Sequence, residues 1–441
     1  MKRLLLAVMM VPVFTFSQSK KKKLKAEQEA NAMMVANLKA HIQHLLDDKP
    51  AQYIIDQYKL ADIQPAGSNG YLQEFTIDEG KQVDEAAFLV ANGKKLLLQE
   101  DYFPLSFSLN KKVKGEAALA MNEAGEPWFK DVKDWLEDNR KNVHYNIGEA
   151  IKNEAGKAAL KGATALLVYN SGPLADNIHF NQKDTSVATS SIPVVFITKK
   201  GLAHYFKDYA ATQQIEMNIS ISSQKRTVRN IAAFINNHAP ATVILGAHYD
   251  TWKYTKDKAA ADTSHCINDN ASGTAALMEL ARILKQSSPK NNNYLFINFS
   301  DEGLGLPGST YWIQHPSIAT TANYMLNMDM VGGYDATHVL TVGGFGTSPA
   351  WGEVLASVPH ENLQVAFDSS GAGPGDHAVF YHAGLPVLAF FTGSSRDYHT
   401  TMDGPVSINY DGESSIIRYI YTIIATADNK NKLTFSKTTE P

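Results

Sequence analysis

His248 and Asp250 close an apolar run, "TVILGAHYDT" (242–251), whose character predicts a strand. Their spacing of two puts both side chains on one face of such a strand, so the imidazole can bind a cation while the carboxylate orients a ligand. Other residues of this kind recur along the chain. Asp269 lies before the helical stretch 272–286, Asp301 and Glu302 end the run 293–300, Asp329 lies near the end of 323–331, and His399 follows the run 386–393. Taken singly, Asp269 would cap a helix and the Asp301–Glu302 pair would be solvated charge at a loop. Taken together, these side chains at successive strand ends point to a metal centre. Two imidazoles with several carboxylates suit Zn²⁺, which takes nitrogen and oxygen ligands and keeps an open position for catalysis. An aspartate bridging two ions about 3.5 Å apart would make a co-catalytic pair that polarises a carbonyl and acidifies water. A nearby free glutamate would then move the proton.

The elements that must position these residues alternate. From Asn230 onward, predicted strands at 242–251, 293–300, 323–331, 338–344 and 386–393 are interleaved with helices at 272–286, near Thr310, at 376–384 and at 414–427. That pattern predicts an α/β fold, a mixed and mostly parallel sheet with helices on both faces, with its ligand crevice beyond the carboxyl ends of the strands. Ahead of it, Met34, Leu38, Ile42, Leu45 and Leu46 recur at helical spacing within 31–48, and Pro50 follows as a stop signal. Residues 112–225 read as a smaller α/β unit, with a charged helical stretch around 135–151, a helix-to-strand passage at 155–172 and a strand at 192–198. That unit has no cluster of histidine with acidic residues and is assigned no chemistry. The expected division is 1–17 as a signal peptide, 18–111 as the N-terminal part of the main domain, 112–225 as an insert and 226–441 as the catalytic part.

A length of 441 residues suits two domains. The 44% hydrophobic and 20% charged content is that of a folded chain, and the net charge of −4 argues against a nucleic-acid partner. Met1-Lys2-Arg3, the apolar run to Phe16 and the small or polar Ser17-Gln18 read as a cleavable export signal. Its apolar core is too short to cross a bilayer, which takes about 20 residues. Export to the periplasm or the extracellular space is therefore expected, with no transmembrane anchor after cleavage. The basic run 20–25 reads as a solvated spacer. The single cysteine, Cys266, excludes an internal disulfide, and it reads as a small buried residue rather than a thiolate ligand. His265 and His377 read as structural or supporting residues. The sequence leaves the oligomeric state open.

The motifs "NIAAFI" (230–235), "GAHYDT" (246–251), "NDNASGTAALMELAR" (268–282), "FSDEGLGLPGS" (299–309), "NMDMVG" (327–332), "GDHAVFYHAGLPVLAFFTG" (375–393) and "DYHTTMD" (397–403), in this order, resemble the di-zinc aminopeptidase family that includes glutamate carboxypeptidase II and the transferrin receptor ectodomain. The insert, with "KGATALLVYNSG" and "SIPVVFIT", resembles the protease-associated domain often found there. The resemblance implies a zinc-dependent aminopeptidase acting on the N-terminal residues of peptides. Carried over by position, it gives His248, Asp269 and Asp329 to one zinc, with Asp269 bridging. His399 and the same Asp269 would hold the second, and Asp250 would support His248.

The chain departs from the family at the glutamates. Two adjacent glutamates are normal there, the first a general base and the second a ligand to the second zinc. Aligned without a gap, Glu302 falls on the base and Gly303 on the ligand, and glycine has no side chain to offer. A one-residue insertion would make Asp301 the base and Glu302 the ligand; the ungapped reading matches both flanks. With Gly303 in place the second ion keeps Asp269, His399 and water, and Asp301, Asp376 or Asp397 could replace the lost carboxylate. Two further readings stay open: a non-catalytic binding homologue that kept the fold, as the transferrin receptor did, and a single-zinc glutaminyl cyclase. The cyclases place a glutamate where Gly303 stands, which counts against the latter.

Overall fold

The computed structural model describes all residues except 1–13, 48, 120, 143–144, 184–188, 209–210, 251–252, 256–262, 266–267, 288, 336–338, 361–362, 394–407, 431 and 439–441. The chain divides into two compact units, one made of the residues up to Phe75 together with those from Thr227 onward, the other of Thr76–Arg226.

The first unit is built on a nine-stranded mixed sheet. Along its main path the strands run Gln64–Pro65, Ile221–Ile235, Asn293–Phe299, Thr242–His248, Ala322–Met328, Val387–Phe391, Leu340–Gly343 and Val365–Phe367. The four central strands from Asn293–Phe299 to Val387–Phe391 are mutually parallel, and antiparallel neighbours flank them on both sides. Every residue of Thr242–His248 and of Asn293–Phe299 is buried, as continuous apolar runs covered on both faces require.

Alternation along each strand feeds two separate cores. Val243, Leu245, Ala247, Phe296 and Leu326 enter one, while Ile244, Leu295, Ile297 and Met325 enter the other. The first core is closed by helices Phe14–Leu45, Pro50–Leu60, Gly273–Gln286, Pro349–Ser357 and Tyr410–Ala427, the second by Pro307–Gln314 and His377–His382 through Trp312, Phe380 and Tyr381. The expected sheet with helices on both faces is present. Helix Pro349–Ser357 and strand Val365–Phe367 were not read from the sequence.

The second unit contains two four-stranded sheets, one ordered Lys94–Lys95, Phe88–Ala91, Thr212–Asn218, Lys112–Ala118, the other Tyr102–Pro104, Val194–Ile197, Leu166–Tyr169, Trp128–Asp131. It begins at Thr76 and not at residue 112 as expected. Strand Thr212–Asn218 pairs with both Phe88–Ala91 and Lys112–Ala118, so the residues before 112 cannot be separated from those after it. A second difference lies near the N-terminus. The basic run 20–25, expected as a spacer, falls inside helix Phe14–Leu45. No glycine or proline interrupts those residues, and helix propensity continues where the apolar period stops. No helix among the described residues is long and apolar enough to cross a membrane.

One buried ion pair fixes the helix that leads out of the site. Glu279, on Gly273–Gln286, is 1% exposed. It takes a two-point grip from Arg282, with Nε 3.0 Å from Oε1 and Nη2 2.8 Å from Oε2. From helix Phe14–Leu45, Asn37 Nδ2 donates to Oε1 at 3.1 Å and His41 Nε2 lies 3.4 Å from the same atom. Burial works against the charge on Glu279, but His41 and Arg282 outweigh it and draw its pKa down to about 2. Because the folded value lies below the unfolded one of about 4.3, the stabilisation is complete above that pH and is lost as the pH falls towards 2. Glu279→Ala strands a partly buried guanidinium and is expected to cost about 3 kcal/mol at neutral pH. Urea unfolding followed by circular dichroism checks this, and the deficit should shrink as the pH is lowered from 4.5 towards 2.

Candidate metal centre

The parallel strands deliver their last residues to one place. His248 ends its strand opposite Phe299 in the register, and the neighbouring strand Ala322–Met328 leads directly into Asp329, whose N–H donates to Phe390 O at 3.0 Å. Asp269 comes from the irregular turn Asn268–Ser272 before helix Gly273–Gln286. That helix is tied to the histidine strand by Thr274, whose hydroxyl donates to His248 O at 2.8 Å. Gly273 is required at the helix start, since a Cβ there would run into Asn270 Oδ1 and Met328 O.

His248 Nε2 lies 3.2 Å from Asp269 Oδ1 and 3.5 Å from Asp329 Oδ1. The ligand atoms of the three residues all lie within 4.8 Å of one another. For a tetrahedral ion with bonds of about 2.0–2.1 Å, neighbouring ligand atoms sit about 3.3 Å apart, so the histidine and the two aspartates are spaced to share one small cation. On the other side of the ring, Nδ1 lies 3.4 Å from Asp250 Oδ1. Burial disfavours a charged His248, but Asp250, Asp269 and Asp329 together prevail and hold its pKa well above the ordinary imidazole value. Positive charge is what this position calls for.

Glu302 opens the short helical turn Glu302–Leu304 that follows strand Asn293–Phe299. Its N–H donates to Asp250 Oδ1 at 3.4 Å. Burial raises its carboxyl pKa to about 7; His248 opposes the shift, and Asp329, Asp376 and Asp269 add to it. Asp301 before it has a left-handed backbone, φ 59°, and Gly303 after it is exposed.

Asp376 is 1% exposed, and neither carboxylate oxygen has a hydrogen-bond partner of good geometry among the described residues. Burial lifts its pKa to about 7 against the pull of His248 and of the nearby Ser309 hydroxyl. His377 is also buried, and burial takes its pKa down to about 4 despite Asp329, which leaves the ring neutral near pH 7. The backbone at Gly375 passes close to both, for a Cβ there would lie 3.3 Å from Asp329 Oδ2 and from His377 Nδ1.

Of the residues singled out in the sequence, His248, Asp250, Asp269, Glu302 and Asp329 come together. His399, Asp397 and Cys266 lie outside the described residues. His265 ends a short strand, Thr263–His265, paired with Lys253–Thr255. Asn268 and Asn270 were given no part in the sequence reading beyond belonging to a motif. Nothing in their spacing marks them, since their role depends on a segment about 60 positions away.

Residues 230–424 match the pattern of peptidase family M28. Over that stretch the chain is similar to peptidase family M28. It is 29% identical over 270 residues to aminopeptidase YwaD of Bacillus subtilis, covering 57% of this chain and 54% of that protein. It is 25% identical over 304 residues to an aminopeptidase of Pseudomonas aeruginosa, covering 59% and 52%. The chain thus spans about half the length of these relatives. A solved zinc aminopeptidase from Bacillus subtilis aligns over 91% of this chain and 97% of its own at 19% identity, with a TM-score of 0.49. The matched M28 stretch contains every residue of the triad together with Asp250 and Glu302. Asp250 touches the ring nitrogen that faces away from the triad, so Asp250→Asn is expected to weaken zinc binding about 10- to 100-fold with the fold intact. Competition with a chromogenic chelator measures this, and circular dichroism reports the fold.

Proposed function

We propose that this chain is a zinc-dependent aminopeptidase that removes N-terminal residues from peptides. The observation that carries the reading is the approach of His248 Nε2 to Asp269 and Asp329 at 3.2 and 3.5 Å, with the backbone N–H of Glu302 bonded to Asp250, the carboxylate on the other side of the same ring. It draws support from the similarity of residues 230–424 to peptidase family M28 and from the names of the relatives, which are aminopeptidases.

His248, Asp269 and Asp329 would hold the ion, and Asp250 would keep the imidazole turned towards it. A bound Zn²⁺ supplies Lewis acidity, polarising the scissile carbonyl and making water acidic near neutral pH. Glu302 would take the proton of the attacking water and return it to the leaving amine. A carboxylate shifted towards 7 by burial suits that exchange, because it neither holds nor releases the proton too firmly at working pH. Asp269 would also bridge to a second ion with His399, and a neighbouring site of that kind would give the free α-amino group of the substrate a place to bind. Export is part of the same proposal, resting on the basic and apolar opening of the sequence. The unit Thr76–Arg226 would be the protease-associated insert.

A second reading, a binding homologue with impaired catalysis, is favoured by one observation. Gly303 is exposed and brings no side chain where the family pattern has a ligand.

Metal analysis and hydrolysis of peptides with free and acetylated N-termini separate the two. The proposed enzyme binds zinc and cleaves only unblocked peptides, and Glu302→Gln lowers kcat by about 10²- to 10⁴-fold while zinc content is unchanged. Purified protein that takes up no zinc, or a Glu302→Gln variant as active as the parent, would overturn the mechanism. Zinc binding without turnover would favour the binding homologue.

A further inference from the structure

Asp269 and Asp329 are 60 positions apart in the chain, and both sit in irregular backbone: the turn Asn268–Ser272, and the link that follows strand Ala322–Met328. The N–H of Asp329 still bonds to Phe390 O on the neighbouring strand, but no strand pairing joins the turn that carries Asp269 to that segment, so other groups must link the two carboxylates. The asparagines on either side of Asp269 reach across to the segment that carries Asp329.

Asn270 is fully buried. Its Nδ2 donates to Met328 O at 3.1 Å, and its Oδ1 accepts from Met330 N at 2.9 Å. Those are the carbonyl immediately before Asp329 and the amide immediately after it, so one side-chain amide grips both peptide groups that flank the ligand. The same Oδ1 accepts from Gly273 N at 3.0 Å, fixing the start of the helix behind Asp269. Asn268, 5% exposed, extends the grip: its Oδ1 accepts from Gly332 N at 3.0 Å and from the Ser272 hydroxyl at 3.0 Å. Met330, between the gripped positions, has a left-handed backbone with φ 52°. Relaxation of that turn would swing Asp329.

We propose that Asn270, aided by Asn268, is the positioning residue that sets the spacing of the two aspartate ligands. This deepens the zinc-peptidase reading and rests on it. The chemistry required is narrow. A single short side chain must donate to one peptide group and accept from the next, which asparagine does and aspartate or leucine does not. Aspartate would set a carboxylate oxygen against Met328 O, and leucine would leave Met328 O and Met330 N without partners inside the protein.

The test uses full-length Asn270→Ala, Asn270→Asp and Asn268→Ala, each compared with the parent for zinc affinity by chelator competition, for the visible absorption of the Co²⁺-substituted protein, and for kcat and KM. The expected result is a loss of zinc affinity of about 10-fold or more in the Asn270 variants, a changed Co²⁺ spectrum and a fall in kcat larger than the rise in KM, with Asn268→Ala intermediate. Folded variants with parental zinc affinity and Co²⁺ spectrum, changed only in melting temperature, would overturn the positioning role and leave the peptidase reading standing. If Asn270→Ala does not fold, Asn270→Asp and Asn268→Ala decide by the same criteria. A parent protein that binds neither metal would instead overturn the peptidase reading.

Discussion

A single buried imidazole faces more negative charge than it can neutralise, and the rest of the site depends on how that imbalance is met. Asp250, Asp269 and Asp329 approach His248 within 3.2–3.5 Å, and the carboxyls of Glu302 and Asp376 interact electrostatically with the same cluster. Two like charges 4 Å apart repel by about 4 kcal/mol at an effective dielectric of 20. The assembly is therefore costly unless positive charge enters it, either as protons or as a cation. The upward shifts of Glu302, Asp376 and His248 express the first solution. A divalent ion among the three ligand residues is the second, and it satisfies the same demand with one particle.

Holding the carboxylates together before the ion arrives is the task of neutral groups. Asn268, Asn270, Thr274 and the backbone of residues 328–332 form a hydrogen-bonded floor in which no charge is spent. Behind it, the helix carrying Thr274 is anchored by Glu279 to the N-terminal helix. The ligand turn is thus secured at its near end by amides and at its far end by a buried ion pair. Parallel strands suit this design because each ends at the same edge, where a single polar residue can leave the apolar run without disturbing the ladder.

How much of this was legible in sequence follows from the same physics. The central strands could be read because burial on both faces writes continuous apolar runs, as in Thr242–His248, and His248 stood out as the polar residue that ends one. Asp269 and Asp329 were legible as carboxylates at element ends. The unit boundary near Thr76 was not, because it is set by the pairing of Phe88–Ala91 with Thr212–Asn218, more than 120 positions away. Nor was the N-terminal reach of the first helix, which propensity and not apolar periodicity extends to Phe14. Asn270 escaped notice for a related reason: its side chain acts on peptide groups, and backbone partners leave no mark in residue types. Asp376 was named only as a substitute ligand, since its complete burial beside other acids is a property of packing.

The glutamate region can be argued one step further from electrostatics. Alignment alone allows Glu302 to be a base beside the first ion, with Gly303 replacing the next ligand, or to be a ligand of the second ion, with Asp301 as base. The two alignments make different demands on Glu302, since a base must take and give up a proton near neutral pH whereas a zinc ligand must stay ionised. Burial raises the Glu302 carboxyl to about 7, with Asp329, Asp376 and Asp269 adding to the shift and His248 opposing it. A carboxyl poised there suits the proton acceptor that the ungapped alignment makes of it. Asp301 before it has a left-handed backbone, φ 59°. On that reading Gly303 stands where the second ion's carboxylate ligand would be, and the second ion would rely on Asp269, His399 and water.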